Sequence, residues 1–179
     1  MSQWKIEESK VVLDASPFIV VRQERCILPN GLVIPDYNIV TEPDAVVALV
    51  ITENKNIILV EQYKHGIGEI CLELPGGLSE GDAPLAEIQR EVLEETGYIS
   101  NNWQHLASYI NNPTRANNHT HAFIASNARK ISEQNLDPTE NIIVHTLSIS
   151  DVFQAIQTGQ IRAVHTIATV FQGLALLDD

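Results

Sequence analysis

The sequence has 179 residues, of which 44% are hydrophobic and 19% are charged. That composition supports about one folded domain with a hydrophobic core and excludes a largely disordered chain. Eleven basic residues against 23 acidic ones give a formal net charge of −12, which argues against nucleic acids and anionic membranes as partners, because both are held by clustered cations.

The cellular location is predicted from the absence of membrane-spanning, disulfide and signal-peptide patterns in the sequence. Its most apolar stretch, residues 45–51, is too short to cross a bilayer and is typical of a buried strand. Cys26 and Cys71 form neither a Cys-x-x-Cys pair nor a disulfide pattern, and no charged start precedes an apolar run. We therefore expect a soluble cytoplasmic protein with two buried free thiols.

The first forty residues alternate short β-like runs with turns. Strands are expected at residues 10–13, 18–23 and 37–40. Between apolar runs, Asn30-Gly31 is typical of the tight turn of a hairpin over residues 26–34. Pro43-Asp44 then breaks the pattern. We therefore predict a β-rich N-terminal extension over residues 1–43, followed by the main domain over residues 44–179.

The main domain is predicted to mix strands with three helices. Strands are expected at residues 45–52, 56–62, 70–74, 103–110, 119–125 and 142–147, of which the first two are rich in Val and Ile, as central strands are. Helices are expected at residues 83–96, 151–158 and 165–177. Asp82 is a suitable N-cap for the first helix, and Gly97 is suited to end it. The fold class is therefore α+β.

The chemistry concentrates on the first of these helices. Glu91, Glu94 and Glu95 share one face near its C-terminal end, where like charges repel and the helix dipole disfavours anions. The face is either a solvated acidic surface held by an Arg90–Glu94 pair or a site for a hard divalent cation. The preceding Gly76-Gly77 favours the cation, because glycine lets backbone approach a ligand closely. Such an ion would also let an acidic protein bind a polyphosphate.

The spacing around this helix matches a known signature. Gly76 is followed by five residues, Asp82, seven residues, and then Arg-Glu-Val-x-Glu-Glu-x-Gly-Tyr over residues 90–98. This resembles the signature of the Nudix hydrolases, Gly-x5-Glu-x7-Arg-Glu-U-x-Glu-Glu-x-Gly-U, where U is a bulky apolar residue, with Asp82 in place of Glu. Outside it, residues 28–31, 62–65, 73–77 and 121–125 resemble ADP-ribose pyrophosphatases and related nucleotide-sugar hydrolases.

The resemblance implies a fold and an activity. The fold is an α/β/α sandwich around a mixed sheet, in a homodimer whose N-terminal strands help to form the partner's site. The implied activity is metal-dependent hydrolysis of a nucleoside diphosphate linked to a sugar, most readily ADP-ribose to AMP and ribose 5-phosphate. Alternatives are another nucleotide sugar such as GDP-mannose, or a module that binds ADP-ribose without cleaving it. The intact Glu91, Glu94 and Glu95 argue against the module, and the acidic composition argues against capped RNA.

The resemblance also implies roles for the residues of the signature. Glu91 and Glu95, with Glu94 and the Gly76 carbonyl, would hold Mg²⁺ or Mn²⁺. Arg90 would orient these carboxylates. Glu140 is the first choice for the general base, with Asp137 second and Glu94 also open.

Four further residues have roles outside the signature. Lys64 would contact a phosphate of the substrate, and Trp4 would stack on its adenine across the dimer. For His119 and His121, which alternate on one strand, we expect packing or hydrogen bonding rather than a zinc site, since no further ligands are suitably spaced.

Overall fold

The structure is a computed structural model that describes residues 2–79, 81 and 83–177. The chain forms two compact units. The first consists of the residues up to 44 together with residues 110–119, and the second consists of residues 45–109 together with the residues after 119. In the part of the chain that the structure describes, no helix is long and apolar enough to span a membrane.

The first unit contains a three-stranded antiparallel sheet in the order β1-β2-β3. Its strands are β1 (Lys5–Ala15), β2 (Ile19–Ile27) and β3 (Val33–Thr41). The predicted hairpin between β2 and β3 is confirmed: Gly31 has φ of 84°, and the Asn30 side chain accepts a hydrogen bond from the Leu32 amide. Strands β1 and β2 are longer than predicted. All eleven residues of β1 are exposed, so the strand carries no alternation of buried and exposed residues for a sequence pattern to reveal.

The second unit is built on an eight-stranded mixed sheet whose central path runs β11-β5-β4-β10-β8. Its strands are β4 (Ala45–Thr52), β5 (Ile57–Lys64), β6 (Glu69–Glu73), β7 (Gly76–Leu78), β8 (Tyr98–Ile99), β9 (Asn102–Ile110), β10 (His119–Lys130) and β11 (Ile142–Leu147). Strands β4 and β10 pair in parallel. The bounds of β4 and β11 agree with the prediction, whereas the short strands β7 and β8 were not predicted.

Helices cover both faces of this sheet. They are α1 (Pro84–Thr96), α2 (Ile149–Gln157) and α3 (Val164–Ala175), each within a few residues of its predicted range. Odd-numbered side chains of β4 pack in one cluster with Val152 of α2 and Val170 of α3. Even-numbered side chains of β4 pack in a second cluster with Ile88 and Val92 of α1. The predicted α/β/α arrangement around a mixed sheet is therefore confirmed, and it explains why β4 is apolar along its whole length.

The ends of α1 set the position of its acidic face. The N-cap residue is Ala83, which makes no side-chain cap, and the predicted cap Asp82 lies outside the described residues. At the other end Gly97 adopts a left-handed conformation with φ of 74°, and its amide donates to the Leu93 carbonyl, as predicted. A Cβ on Gly97 would lie 2.1 Å from the Ser132 carbonyl oxygen. Only glycine therefore fits at this end of the helix.

Candidate active site

Two glycines of β7 lie against the acidic face of α1. The Gly76 amide donates to Glu95 Oε2 at 2.9 Å. A Cβ on Gly77 would lie 2.6 Å from the carboxyl carbon of Glu91, and a Cβ on Gly76 would lie 2.2 Å from the carbonyl oxygen of Val46 on β4. The glycines thus allow a strand and two carboxylates to approach more closely than any side chain would permit.

Burial perturbs both of these carboxyl groups. The Glu95 residue is only 3% exposed, and its burial raises the pKa of the carboxyl to about 8, although the Gly76 hydrogen bond acts in the opposite direction. Burial also raises the pKa of Glu91, against the attraction of Arg90. These two groups therefore resist carrying negative charge unless a cation compensates it.

Arg90 holds two of the predicted ligands on the outer side of the helix. Its Nη1 lies 2.6 Å from Glu94 Oε2, and its Nη2 lies 2.6 Å from Glu91 Oε1. Among the residues that the structure describes, no three His, Cys, Asp or Glu side chains form a ready set of metal ligands. In this arrangement Arg90 binds the carboxylates of Glu91 and Glu94, while Glu95 is bound to the backbone of β7.

Glu91, Glu94 and Glu95 are called the acidic cluster below. A polar recess of about 270 Å³ adjoins it. Its lining combines three residues of α1 with a loop that precedes β11: Arg90, Glu91, Glu94, Asn135, Leu136, Asp137 and Glu140. The loop is fixed to the helix because the Asn135 amide donates to the Glu94 carbonyl at 2.9 Å. The Glu140 carboxylate accepts from the Asp137 amide at 3.0 Å. All three candidates for the general base are thus brought to one recess.

A larger cavity of about 660 Å³ lies along β7. Its walls come from β4, the ends of β5 and β6, strand β7 and the start of α3. Lys64 lines this cavity and forms an ion pair with Glu73, which also accepts from the Gln62 side chain at 3.1 Å. Gly76 and Gly77 line it as well. The predicted phosphate contact and the glycines behind the acidic cluster therefore belong to one cavity.

Three further residues of this cavity were not predicted as site residues. His165 Nε2 lies 4.0 Å from Glu73 Oε2, and burial lowers the pKa of its imidazole. Arg162 forms an ion pair with Glu69. Cys71 is half-buried in the cavity wall, so the prediction of a buried thiol was wrong for Cys71 and is confirmed for Cys26. The alternation of residues 69, 71 and 73 on β6 could have indicated a shared face, but no sequence signal pairs β6 with the start of α3.

The remaining predicted residues lie elsewhere. Trp4 belongs to the first unit, where its ring packs edge-on against Tyr37 at 5.5 Å between centroids. His121 Nδ1 lies 2.8 Å from Ser108 Oγ, and the His119 amide donates to Asp44 Oδ1 at 2.7 Å. The His121 side chain is thus within hydrogen-bond distance of Ser108, and His119 Nδ1 lies 3.9 Å from Asp44 Oδ1. The adenine contact of Trp4 stays a prediction.

The chain is similar to known proteins in both sequence and fold. The family model described as NUDIX domain matches residues 41–167, and the model described as nucleoside diphosphate sugar hydrolase N-terminal domain matches residues 4–40. A methanol dehydrogenase activator of Bacillus methanolicus is 31% identical over 80% of this chain and 78% of its own. An ADP-ribose pyrophosphatase of Bacillus subtilis is 29% identical over 78% of this chain and 76% of its own. The crystal structure of an ADP compounds hydrolase superposes with a TM-score of 0.87 at 18% identity, covering 99% of this chain and 96% of that one.

Proposed function

The chain belongs to the Nudix hydrolase family, and we propose that it hydrolyses the diphosphate bond of nucleoside diphosphate sugars, preferring ADP-ribose, which it would cleave to AMP and ribose 5-phosphate. The match of residues 4–40 to a nucleoside diphosphate sugar hydrolase domain supports this substrate class. The name of the Bacillus subtilis relative supports ADP-ribose within that class.

The observation that carries the proposal is the position of β7 between cavity and carboxylates. Gly76 and Gly77 line the 660 Å³ cavity, which is large enough for a nucleotide-sized ligand. The same two residues lie against the carboxyl groups of Glu95, which is buried, and Glu91, which is partly buried. A diphosphate lying along β7 would therefore be next to the acidic cluster while the rest of the substrate occupies the cavity.

The donor set of this cluster fits a hard divalent cation. Carboxylates and a backbone carbonyl are the oxygen ligands that Mg²⁺ and Mn²⁺ prefer, and burial has raised the pKa of both Glu91 and Glu95. We propose that these two residues, Glu94 and the Gly76 carbonyl hold Mg²⁺ or Mn²⁺. When bound, such an ion neutralises charge on the diphosphate and helps to generate the nucleophile from water.

The remaining roles fall to groups of the protein itself. Arg90, paired with Glu91 and Glu94 at 2.6 Å, would fix the orientation of these carboxylates. Glu140 would accept the proton of the attacking water, with Asp137 and Glu94 as alternatives, since all three line the recess beside α1. Lys64 would contact a phosphate from the cavity wall as a point charge.

Assembly and location complete the proposal. We propose a homodimer in which Trp4, from the β-rich region over residues 1–43, stacks on the adenine in the partner's site. The eleven exposed residues of β1 provide a surface for such an assembly. We also propose a cytoplasmic location, which the two free cysteines support. The large net negative charge disfavours nucleic acid as a partner.

A substrate panel tests the proposal. ADP-ribose, GDP-mannose and other nucleotide sugars would be incubated with Mg²⁺, and the nucleoside monophosphate product would be separated by chromatography. ADP-ribose is expected to give the highest kcat/KM, and the Glu140→Gln variant is expected to lower kcat more than Asp137→Asn does. A preference for GDP-mannose would replace the substrate. Binding of ADP-ribose without any product would instead favour the non-catalytic module.

A further inference from the structure

The Glu73 carboxylate and the His165 imidazole face each other in the wall of the 660 Å³ cavity. Glu73, whose side chain is 7% exposed, engages both Lys64 and Gln62 through Oε1. Its other oxygen, Oε2, faces His165 Nε2 at 4.0 Å. The Leu74 amide donates to Thr166 Oγ1 at 3.2 Å, next to this pair on both segments, so the facing groups are held at a defined separation.

The separation of the Glu73–His165 pair suits a bridging oxygen atom. A distance of 4.0 Å is too long for a direct hydrogen bond, yet a ligand oxygen can lie within about 2.8 Å of both atoms. A carboxylate only accepts hydrogen bonds, so the ligand must donate to Glu73. Phosphate oxygens that carry no proton do not meet this condition, whereas a sugar hydroxyl does.

The imidazole fits the same ligand. Burial lowers the pKa of His165, which favours the neutral ring, and a neutral imidazole presents one donor and one acceptor nitrogen. A hydroxyl that donates to Glu73 still has lone pairs for a donor on the ring. The nearest basic residues of the cavity, Lys64 and Arg162, are already paired with Glu73 and Glu69. The space between Glu73 Oε2 and His165 Nε2 is therefore matched to a hydroxyl group, while Lys64, on the other oxygen of Glu73, stays the proposed phosphate contact.

The position of the pair within the cavity identifies its task. Glu73 and His165 line the same space as Gly76 and Gly77, which contact the acidic cluster. We propose that the Glu73–His165 pair binds a hydroxyl group of a substrate ribose and thereby makes substrate affinity depend on that hydroxyl. This inference rests on the proposed function for the identity of the substrate. The ribose is either the terminal one or that of the adenosine, and the test distinguishes the two.

The test combines a substitution at His165 with the removal of a hydroxyl group from the ligand. Binding of ADP-ribose is compared with binding of two analogues, one lacking the 2-hydroxyl of the terminal ribose and one lacking that of the adenosine ribose. Calorimetry with the metal removed by EDTA measures affinity independently of turnover, and kcat/KM with Mg²⁺ is measured in parallel. Wild-type protein is expected to lose about tenfold in affinity for one analogue. In His165→Ala that loss is expected to fall below twofold, and the analogue concerned identifies the ribose.

Two further variants separate a specific contact from general damage. His105→Ala removes an exposed imidazole that does not line the cavity, and it should keep the full tenfold discrimination. His165→Asn preserves a hydrogen-bonding side chain and should restore part of it. Unfolding midpoints verify that each variant is folded.

Failure of the inference is distinct from failure of the proposed function. A tenfold loss that persists in His165→Ala, an absence of loss for both analogues in the wild type, or no binding of ADP-ribose at all would overturn the inference. Binding with the expected coupling, but without turnover in Mg²⁺, would overturn the hydrolase proposal and leave the ribose contact standing.

Discussion

Two buried glutamates have different bonding partners: Glu73 lines the 660 Å³ cavity, and Glu95 lies on α1 against Gly76, which lines the same cavity. Glu73 and Glu95 are 6% and 3% exposed. Glu73 is bound by the Lys64 ammonium and the Gln62 amide. Glu95 accepts from the neutral Gly76 amide, and burial raises its pKa to about 8. Burial alone therefore does not define a reactive carboxyl group. The bonding partner also matters. A buried carboxyl that accepts from a neutral amide, as Glu95 does, is stabilised in its charged form only when a cation binds next to it.

Of the substitutions that test this difference between Glu73 and Glu95, replacing Glu95 should lower the activity most. Glu95→Gln keeps the shape of the side chain but removes the charge that would hold the cation, so kcat/KM with ADP-ribose and Mg²⁺ should fall by about three orders of magnitude. Glu133→Gln changes an exposed acid paired with Lys130 and should leave the activity unchanged. If the kcat/KM of Glu95→Gln were within tenfold of the wild-type value, Glu95 would not be a metal ligand and its role would be structural.

The raised pKa of Glu95 also predicts how stability depends on pH without metal. The carboxyl binds its proton more tightly in the folded chain, with a pKa of about 8, than in the unfolded chain, where the value is 4.5. The folded state thus holds more protons between these values, and the free energy of unfolding should fall by up to a few kcal/mol as pH rises from about 5 to 8. Urea denaturation in EDTA at several pH values measures this.

The Glu95→Gln variant isolates that dependence. Its free energy of unfolding should decline much less over the same range, and added Mg²⁺ should stabilise the wild type at pH 8 but not the variant. Subtracting the unfolding free energies of the two proteins at each pH also cancels the pH dependence that comes from His165, which both proteins contain. Its lowered pKa acts in the opposite direction, since the unfolded imidazole binds the extra proton near pH 6.5. Parallel curves for the two proteins would contradict the assignment to Glu95.

A smaller change on β7 should disturb Glu91 without touching its charge. In Gly77→Ala the new methyl would lie 2.6 Å from the Glu91 carboxyl group, so the carboxylate must move. We expect kcat to fall by about a hundredfold, because a displacement of this size misplaces a metal ligand. Gly81→Ala is the matched control, since its methyl would be 3.6 Å from the nearest atom. Equal activity of the two variants would contradict the close approach of Glu91 to β7.

The fold was predictable where burial imposes a pattern on the sequence. Strand β4 is buried along nearly its whole length, so its continuous apolar run gave the correct bounds. Strand β1 is exposed throughout, and its charged first half carries no such signal. Strands β7 and β8 have three and two residues and exist because a neighbouring strand pairs with them, which no local pattern encodes.

The candidate site divides in the same way. The acids of α1 and the glycines of β7 are separated by about two helical turns and one loop of sequence, so their spacing could be recognised in the chain itself. The facing of Glu73 and His165 joins positions 92 residues apart. That contact depends on where α3 begins relative to β6, which tertiary packing decides. The sequence therefore indicated the proposed cation ligands, while the facing of Glu73 and His165 could be described only from the fold.

The smallest expected effect comes from removing the ammonium that pairs with Glu73, which leaves this carboxylate, like Glu95, without a directly bonded cation. Lys64→Met removes the ammonium but keeps the aliphatic stem, leaving a 7% exposed carboxylate with the Gln62 amide. Because Lys64 is itself 40% exposed, we expect a loss of only about 1 kcal/mol in the free energy of unfolding, with a several-fold higher KM for ADP-ribose. Lys64→Arg keeps the charge and should retain most of the stability.

A second substitution decides whether this loss arises from the pairing. Adding Glu73→Gln to Lys64→Met removes the uncompensated charge, so the double variant should recover the lost stability while KM remains high. If the double variant is no more stable than Lys64→Met alone, the loss does not come from an uncompensated charge on Glu73, and Lys64 would not be the reason that Glu73 tolerates burial. Recovery would instead show that the direct ion pair with Lys64 is what lets Glu73 carry a buried charge, whereas Glu95 feels Lys64 only at longer range and keeps a raised pKa.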